Sequence, residues 1–113
     1  MPKPRSAAAR LTGSAPVFAA LGDETRLRLV SRLCHEGAMS ISRLAEGSEL
    51  TRQAITKHLR VMEAAGILQA TRRGRESIWQ LAPERLEEAR RCLDVISAQW
   101  DVTLDRLKKL VEE

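Results

Sequence analysis

A group of long polar side chains near the middle of the chain has the residue types that recognise DNA bases. A helical wheel at about 100° per residue places the group within one arc; its members are Arg52, Gln53, Thr56, Lys57 and Arg60. Arginine and lysine can donate to guanine O6 and N7, glutamine can pair with adenine, and threonine can contact a base edge or a thymine methyl. This polar face has no acid between its first and last member, although mixed charges would stabilise an exposed helix. The pattern favours contact with the DNA major groove; the alternative is a plain solvated face.

The other side of the same segment is apolar and must pack against a core. It contains Ala54, Ile55, His58, Leu59, Val61 and Met62. Because His58 lies inside this arc, we expect it to be a hydrogen-bonded packing residue rather than a base reader. Thr51 is a favourable N-cap and Gly66 a helix stop, so a helix is predicted over 51–65. A shorter helix precedes it across a tight turn, which predicts a helix-turn-helix.

The next segment changes to the alternating period of a β-strand and predicts a hairpin. Gly74 supplies its turn, and Arg72, Arg73 and Arg75 make its tip basic. Such a tip suits phosphate or minor-groove contact; a solubilising surface turn is the alternative. Residues 51–75 carry six basic residues and one acid, so much of the net charge of +4 lies here.

The N-terminal third combines a tail with a capped helix. Residues 1–14 are rich in Pro, Ala, Ser and basic residues and are predicted to be a disordered basic tail, either a solubilising leader or an arm that adds phosphate contacts. A helix is predicted from the N-cap Asp23 to the stop at Gly37. Its core stripe is expected to be Leu27, Val30 and Cys34, with Leu33 beside them, and Cys34 is expected to be a small buried hydrophobe.

The last segment, 83–113, predicts one helix of roughly 30 residues, or about 45 Å. Two apolar seams repeat every seven residues, and the only polar position in them is Thr103. Because this helix outreaches a small domain, part of its stripe needs another chain, and we expect a dimer. The expected dimer-interface residues are Leu86, Ala89, Leu93, Ile96, Trp100, Leu107 and Leu110.

The composition argues against several classes of protein. Two cysteines far apart and two histidines give no zinc-like cluster, and there is no phosphate loop or catalytic triad. An aromatic share of 3% argues against stacking on single strands. No apolar run reaches the length of a membrane span. We therefore expect a cytoplasmic protein that is not an enzyme, with no cofactor and no membrane.

Three stretches together resemble the ArsR/SmtB family of bacterial winged-helix repressors: LGDETRLRLVSRL, LTRQAITKHLRVMEAAGIL and RRGRESIWQL. The resemblance covers about residues 15–82. It implies a mainly α fold, a winged helix-turn-helix with a small β-hairpin, in which N-terminal and long C-terminal helices form a homodimer. It also implies an inverted-repeat operator and repression that an effector relieves. The implied DNA-binding residues are Thr51, Arg52, Gln53, Thr56, Lys57 and Arg60, with Arg73, Gly74 and Arg75 in a wing near 72–76.

The metal-sensing members of that family carry a Cys-x-Cys pair where this chain has Ser40 and Ser42. Serine is a poor ligand for soft metals, and the last helix contains no histidine, so no metal site is expected. The sequence leaves the effector open. The effector could be a small molecule, or the chain could respond to thiol oxidation or to a metal through Cys34 and/or Cys92. An alternative function of another class is a winged-helix protein-interaction module that does not bind DNA.

Overall fold

The computed structural model describes residues 7–112, which fold into helices around a small antiparallel sheet. The helices are α1 (Ala7–Gly13), α2 (Ala15–Leu21), α3 (Glu24–Glu36), α4 (Ile41–Ala45), α5 (Arg52–Ala64) and α6 (Pro83–Glu112). The strands are β1 (Met39–Ser40), β2 (Leu68–Arg73) and β3 (Glu76–Leu81), in the order β1-β3-β2. This is the winged helix-turn-helix expected from the sequence, with α4 and α5 as the motif and the β2–β3 hairpin as the wing.

The N-terminal tail differs in part from the prediction of disorder over 1–14. Residues 1–6 lie outside the described residues, but Ala7–Gly13 is helical. Three consecutive alanines followed by Arg10 and Leu11 have high helix propensity, which outweighs the basic composition that suggested disorder. The prediction is therefore wrong for residues 7–13.

Helix starts lie where the sequence signals place them. Asp23 accepts a hydrogen bond from Arg26 N at 3.0 Å and so caps α3. The Thr51 hydroxyl accepts from Ala54 N at 3.1 Å and caps α5. Each cap satisfies one of the backbone N–H groups that a helix leaves unpaired at its N-terminus, so both starts are set locally.

The core forms around the apolar face of α5. Ile55, Leu59 and Met62 have no exposed surface, and Trp79 of β3 is 1% exposed beside them. These residues share one hydrophobic cluster with side chains of α2, α3 and α4. The buried face of α5 is the one that the sequence assigned to packing, with the exception of Val61, which is 43% exposed because it lies at the edge of the apolar arc. The polar face of the helix is therefore turned to the outside.

The apolar stripe of α3 was predicted correctly at Leu33, which is buried, and at Val30, which packs against the core, but not at Leu27 and Cys34. Leu29 and Leu33 are the buried residues of this helix, whereas Leu27 is 51% exposed and Cys34 is also exposed. The helix carries apolar residues on two arcs, and the core takes the arc of the i, i+4 pair Leu29 and Leu33. The expectation that Cys34 is buried is therefore wrong.

The two strands of the wing are joined by a two-residue turn at an exposed tip. Arg73 pairs with Glu76 in the last rung of the ladder, which leaves Gly74 and Arg75 as the turn. Gly74 has a φ of 60°, and no described residue other than glycine has a positive φ. This is the pattern of a type II′ turn, whose twist matches that of the flanking strands.

The C-terminal helix α6 starts on the body of the protein and then leaves it. The radius of gyration is 18.4 Å and the longest dimension 64 Å, against about 13 Å for a compact chain of this length. The first turns are covered, since Leu86 is half-buried and Ala89 is 5% exposed within the core. Of the expected dimer residues, those two belong to the fold of the single chain, because the start of the helix packs on α2. The exposed ones are Leu93, Ile96, Trp100, Leu107 and Leu110.

The start of α6 also lies close to the end of α5. Gly66, with a φ of 80°, follows α5 directly, and a side-chain carbon built at this glycine would lie 2.8 Å from Cγ of Arg85. Glycine therefore serves both the backbone turn and the close approach of the two helices. Within residues 7–112, no helix is long and apolar enough to cross a membrane.

The buried face of α5 gives a direct test of the core. Leu59→Ala is expected to lower the free energy of unfolding by about 2–5 kcal/mol, because it removes a fully buried side chain and leaves a cavity. The matched control Val61→Ala, on the same helix but 43% exposed, should change it by less than about 0.5 kcal/mol. Urea unfolding followed by circular dichroism measures both. Equal losses in the two variants would contradict the packing described.

Candidate nucleic-acid interface

The polar face of α5 presents three side chains without partners. Arg52, Gln53 and Lys57 are exposed. In the part of the chain that the structure describes, none of the three makes a side-chain hydrogen bond or ion pair. Their donors point away from a helix whose opposite face is fixed in the core. The arrangement offers amide and cationic donors at set spacing to whatever docks on this side.

The two threonines of the predicted interface are already used by the helix itself. Thr51 is the N-cap, and the Thr56 hydroxyl donates to the Arg52 carbonyl oxygen at 2.8 Å. The Thr56 hydroxyl proton is thus occupied within α5, so base contact from this position would use its methyl group or the oxygen lone pairs. Both threonines therefore stabilise α5 in addition to forming part of the predicted interface.

Arg60 differs from the other cations of the face. Its Nη1 donates to Glu63 Oε1 at 2.8 Å, and its guanidinium carbon lies 5.2 Å from the centroid of the Trp79 ring. That distance is within the range of a cation–π contact. Arg60 therefore connects α5 with the wing in the DNA-free protein, a contact that the helical wheel did not reveal.

The wing adds a second positive surface. Arg72, Arg73 and Arg75 are exposed, and Arg72 Nε donates to the Gly74 carbonyl oxygen at 3.4 Å. In the hairpin register Arg73 lies opposite Glu76, so one acid is close to the basic tip. The predicted wing cations are present together at the surface, at the end of a hairpin that is joined directly to α5 through Gly66.

A polar cluster on the inner side of α5 joins this helix to α2 and α3. Arg26 Nη1 donates to His58 Nδ1 at 3.3 Å, and Arg26 Nε donates to the Ala20 carbonyl oxygen. Asp23 Oδ2 lies 3.8 Å from the same histidine nitrogen. The expectation that His58 is a hydrogen-bonded packing residue is confirmed. The sequence reading missed Arg26, since it lies 32 positions from its partner and no local pattern connects them.

Comparison with known proteins gives this geometry a family. A family model described as a helix-turn-helix domain matches residues 21–69. The solved structure of an ArsR-like transcriptional regulator from Rhodococcus sp. RHA1 aligns with a TM-score of 0.70 and 36% identity, over 88% of this chain and 92% of that one. This chain belongs to the ArsR/SmtB family of winged helix-turn-helix transcriptional regulators. It is thus a DNA-binding regulator of transcription and not an enzyme.

Two curated transcriptional regulators are similar to this chain in sequence. A helix-turn-helix type transcriptional regulator of Mycobacterium tuberculosis is 35% identical over 75 residues, which are 66% of this chain and 69% of that protein. An arsenic resistance transcriptional regulator of Pseudomonas putida is 35% identical over 68 residues, or 60% of this chain and 53% of the relative. The match thus spans about half the length of the second relative.

One of the two positions at which the resemblance implies cysteines in metal sensors has a structural use in this chain. The Ser40 hydroxyl accepts a hydrogen bond from Arg43 N at 3.2 Å and caps α4. Among residues 7–112, no three His, Cys, Asp or Glu side chains are grouped to hold a metal ion. The two thiols occupy different environments, since Cys34 is exposed and Cys92 is buried.

The polar cluster of Asp23, Arg26 and His58 lowers the pKa of the Asp23 carboxylate. The hydrogen bond from the Arg26 backbone N–H holds the pKa of Asp23 below its ordinary value of 3.8, and the positive charge of Arg26 acts in the same direction against the opposing effect of partial burial. A carboxylate whose pKa is lowered by folding stabilises the folded state above its unfolded pKa. That contribution is lost as the pH falls through the lower, folded value.

Replacing Asp23 with asparagine tests this linkage while keeping a good cap. At pH 7 Asp23→Asn is expected to unfold at lower urea concentration than the wild type, because the charge facing Arg26 is gone. Below pH 3.8 the two midpoints should converge. The control Asp94→Asn, on the exposed surface of α6, should stay within about 0.5 kcal/mol of the wild type. A difference that grows towards low pH would contradict the assignment.

Proposed function

We propose that the chain is a dimeric repressor that binds an inverted-repeat operator through the polar face of α5 and the wing. The observation that carries this proposal is that α5 has one buried apolar face and one exposed polar face. Ile55, Leu59 and Met62 are fully buried, while Arg52, Gln53 and Lys57 are exposed and unpaired. An α-helix fits the major groove, and these are residue types that read base edges there.

Charge supports docking on duplex DNA. Residues 51–75 carry six basic residues against Glu63 alone, and that acid is already paired with Arg60. Phosphate contacts from the wing and the ends of α5 would provide affinity and register, while contacts from the polar face would select the sequence. Binding of this kind weakens steeply with salt because bound cations are released from the DNA.

The distal part of α6 supports a second copy of the chain as partner. Its stripe continues the line of Leu86 and Ala89, which the body covers, into side chains that are 47–70% exposed: Leu93, Ile96, Trp100, Leu107 and Leu110. A soluble protein rarely exposes an apolar surface of this extent without a partner. A two-fold dimer would bring two α5 helices to major grooves about 34–36 Å apart, which is the geometry of an inverted repeat.

Repression would end when an effector changes the position of α6 relative to α5. Because Ser40 caps α4 where metal-sensing relatives have a cysteine, we propose an effector other than a soft metal ion. The same proposal includes DNA binding and a cytoplasmic location, because a repressor must be in the same compartment as its operator.

Substitutions on the polar face test the DNA contact. Arg52→Ala and Lys57→Ala are each expected to weaken binding to the chain's own upstream DNA by about 1–3 kcal/mol, while the dimer survives. Lys108→Ala on α6 is the matched control, because it removes one exposed cation away from α5 and should leave affinity nearly unchanged. Gel-shift titrations measure the affinity and sedimentation the assembly. Unchanged affinity in both α5 variants would rule out this face as the DNA contact.

Substitutions on two sides of α6 test the dimer. Leu107→Asp places a charge in the proposed seam and is expected to shift the chain to monomers at micromolar concentration. Val102→Asp is the matched control: the side chain is similarly exposed, at 52% against 50%, but lies about 140° away around the helix. Sedimentation equilibrium reports both masses. Dimers that tolerate the Leu107 change but not the Val102 change would place the interface on the opposite face.

A further inference from the structure

Arg60 is the one cation of the polar face that is engaged on both sides. Its guanidinium lies over the Trp79 ring, with 5.2 Å between the guanidinium carbon and the ring centroid, and it donates to Glu63 Oε1 at 2.8 Å. Arg52 and Lys57 have neither kind of contact within the described residues. The three cations were predicted to act alike, but only two are free.

Trp79 is a rigid point of the wing sheet. It lies on the central strand β3, paired with Met39 on one side and Ala70 on the other, and is 1% exposed. It is three residues from Glu76 at the start of that strand, so about 10 Å from the tip of the hairpin. A contact on this ring therefore reaches the sheet itself rather than the turn that carries the arginines.

The base of the wing is attached to α5 by the chain and by the core. The link runs through Gly66 and Ile67, and Ile67 N donates to the Met62 carbonyl oxygen at 2.9 Å. Leu68 and Trp79 share one hydrophobic cluster with the buried side chains of α5. The contact from Arg60 to Trp79 adds to this packing at the exposed side of the helix, where it joins the polar face of α5 to the sheet.

We propose that Arg60 is a positioning residue that holds the wing at a set angle to α5, and that it does not read a base. This inference rests on the DNA-binding function proposed above. The contribution of Arg60 to operator binding is then indirect: the latch between Arg60, Glu63 and Trp79 lets the polar face of α5 and the arginines of the wing reach the DNA together.

The existing contacts of Arg60 oppose a direct role on DNA. To reach a base edge, the side chain would have to leave both the ring and the carboxylate, and Glu63 would then face the phosphates unpaired. Glu63 is the only acid in residues 51–75, and its pairing with Arg60 neutralises both charges. The pair therefore adds little net attraction for DNA and serves the geometry instead.

The test compares the same substitution at two positions, Arg60→Met and Lys57→Met, in the full-length chain. Affinity for the upstream DNA is measured over a salt series and over a panel of single base-pair changes. Arg60→Met is expected to weaken binding about five- to tenfold, with the same base preferences. Its salt slope should match that of the wild type when Glu63→Gln is added, because this second change removes the acid that is left unpaired. Lys57→Met should instead flatten the salt slope by about one or relax the preference at one base pair.

Hydrogen exchange on the DNA-free protein gives an independent measure of the latch. Amides of β2 and β3 are expected to exchange faster in Arg60→Met than in the wild type, while Lys57→Met should leave them unchanged. Both variants are expected to fold, because Arg60 and Lys57 are exposed. Their melting temperatures check this.

The results that would overturn the proposal are specific. A salt slope lowered by about one in the variant that carries both Arg60→Met and Glu63→Gln, or relaxed preference at a single base pair, would make Arg60 a direct DNA contact. Unchanged exchange in β2 and β3 would remove the latch. If the wild type bound no DNA at all, the repressor function would fail, and the exchange experiment would still decide whether Arg60 holds the wing.

Discussion

Burial of the apolar side of α5 fixes the position of the helix that carries the candidate interface. A helix of 13 residues is marginal on its own in water, so its position is set by the packing of Ile55, Leu59 and Met62 in the core. That packing fixes the rotation of the helix and thereby the side on which Arg52, Gln53 and Lys57 lie. The backbone that carries these donors is thus fixed before binding, and only their side chains have to be ordered on a partner surface.

Other contacts secure the same helix along its length. Thr51 caps its start, His58 accepts a hydrogen bond from Arg26 near its middle, and Arg60 joins it to the wing. At its end, Gly66 lies against the first turn of α6. The start of the proposed dimer helix thus lies against the residue that links the proposed DNA-binding helix to the wing.

Local signals explain which parts of the fold were predictable. Thr51, Gly66 and Gly74 each act within a few residues, through a cap, a helix stop and a turn, and the structure has all three features where the sequence placed them. The two faces of α5 were equally clear, because its polar and apolar arcs do not interleave. The basic residues of the candidate interface were accordingly found from sequence alone.

The parts that were missed depend on contacts between distant segments. Periodicity shows that α3 has apolar arcs but not which arc meets the core. Leu33 was predicted correctly, but Leu27 and Cys34 were chosen and the buried Leu29 was not. In the same way, a heptad pattern does not show where α6 leaves the body, so Leu86 and Ala89 were assigned to a partner chain. The stacking of Arg60 on Trp79 joins positions 19 residues apart on a helix and a strand, and no local rule predicts it.

Methylation interference on the chain's own upstream DNA reports on guanine N7 in the major groove, where the polar face of α5 is proposed to bind. Interference is expected at guanines in two segments whose centres lie about 10–10.5 base pairs apart on one face of the duplex, or a multiple of that distance, arranged as an inverted repeat. Binding that is insensitive to N7 methylation throughout the protected region would contradict it, since the polar face of α5 would then not lie in the major groove.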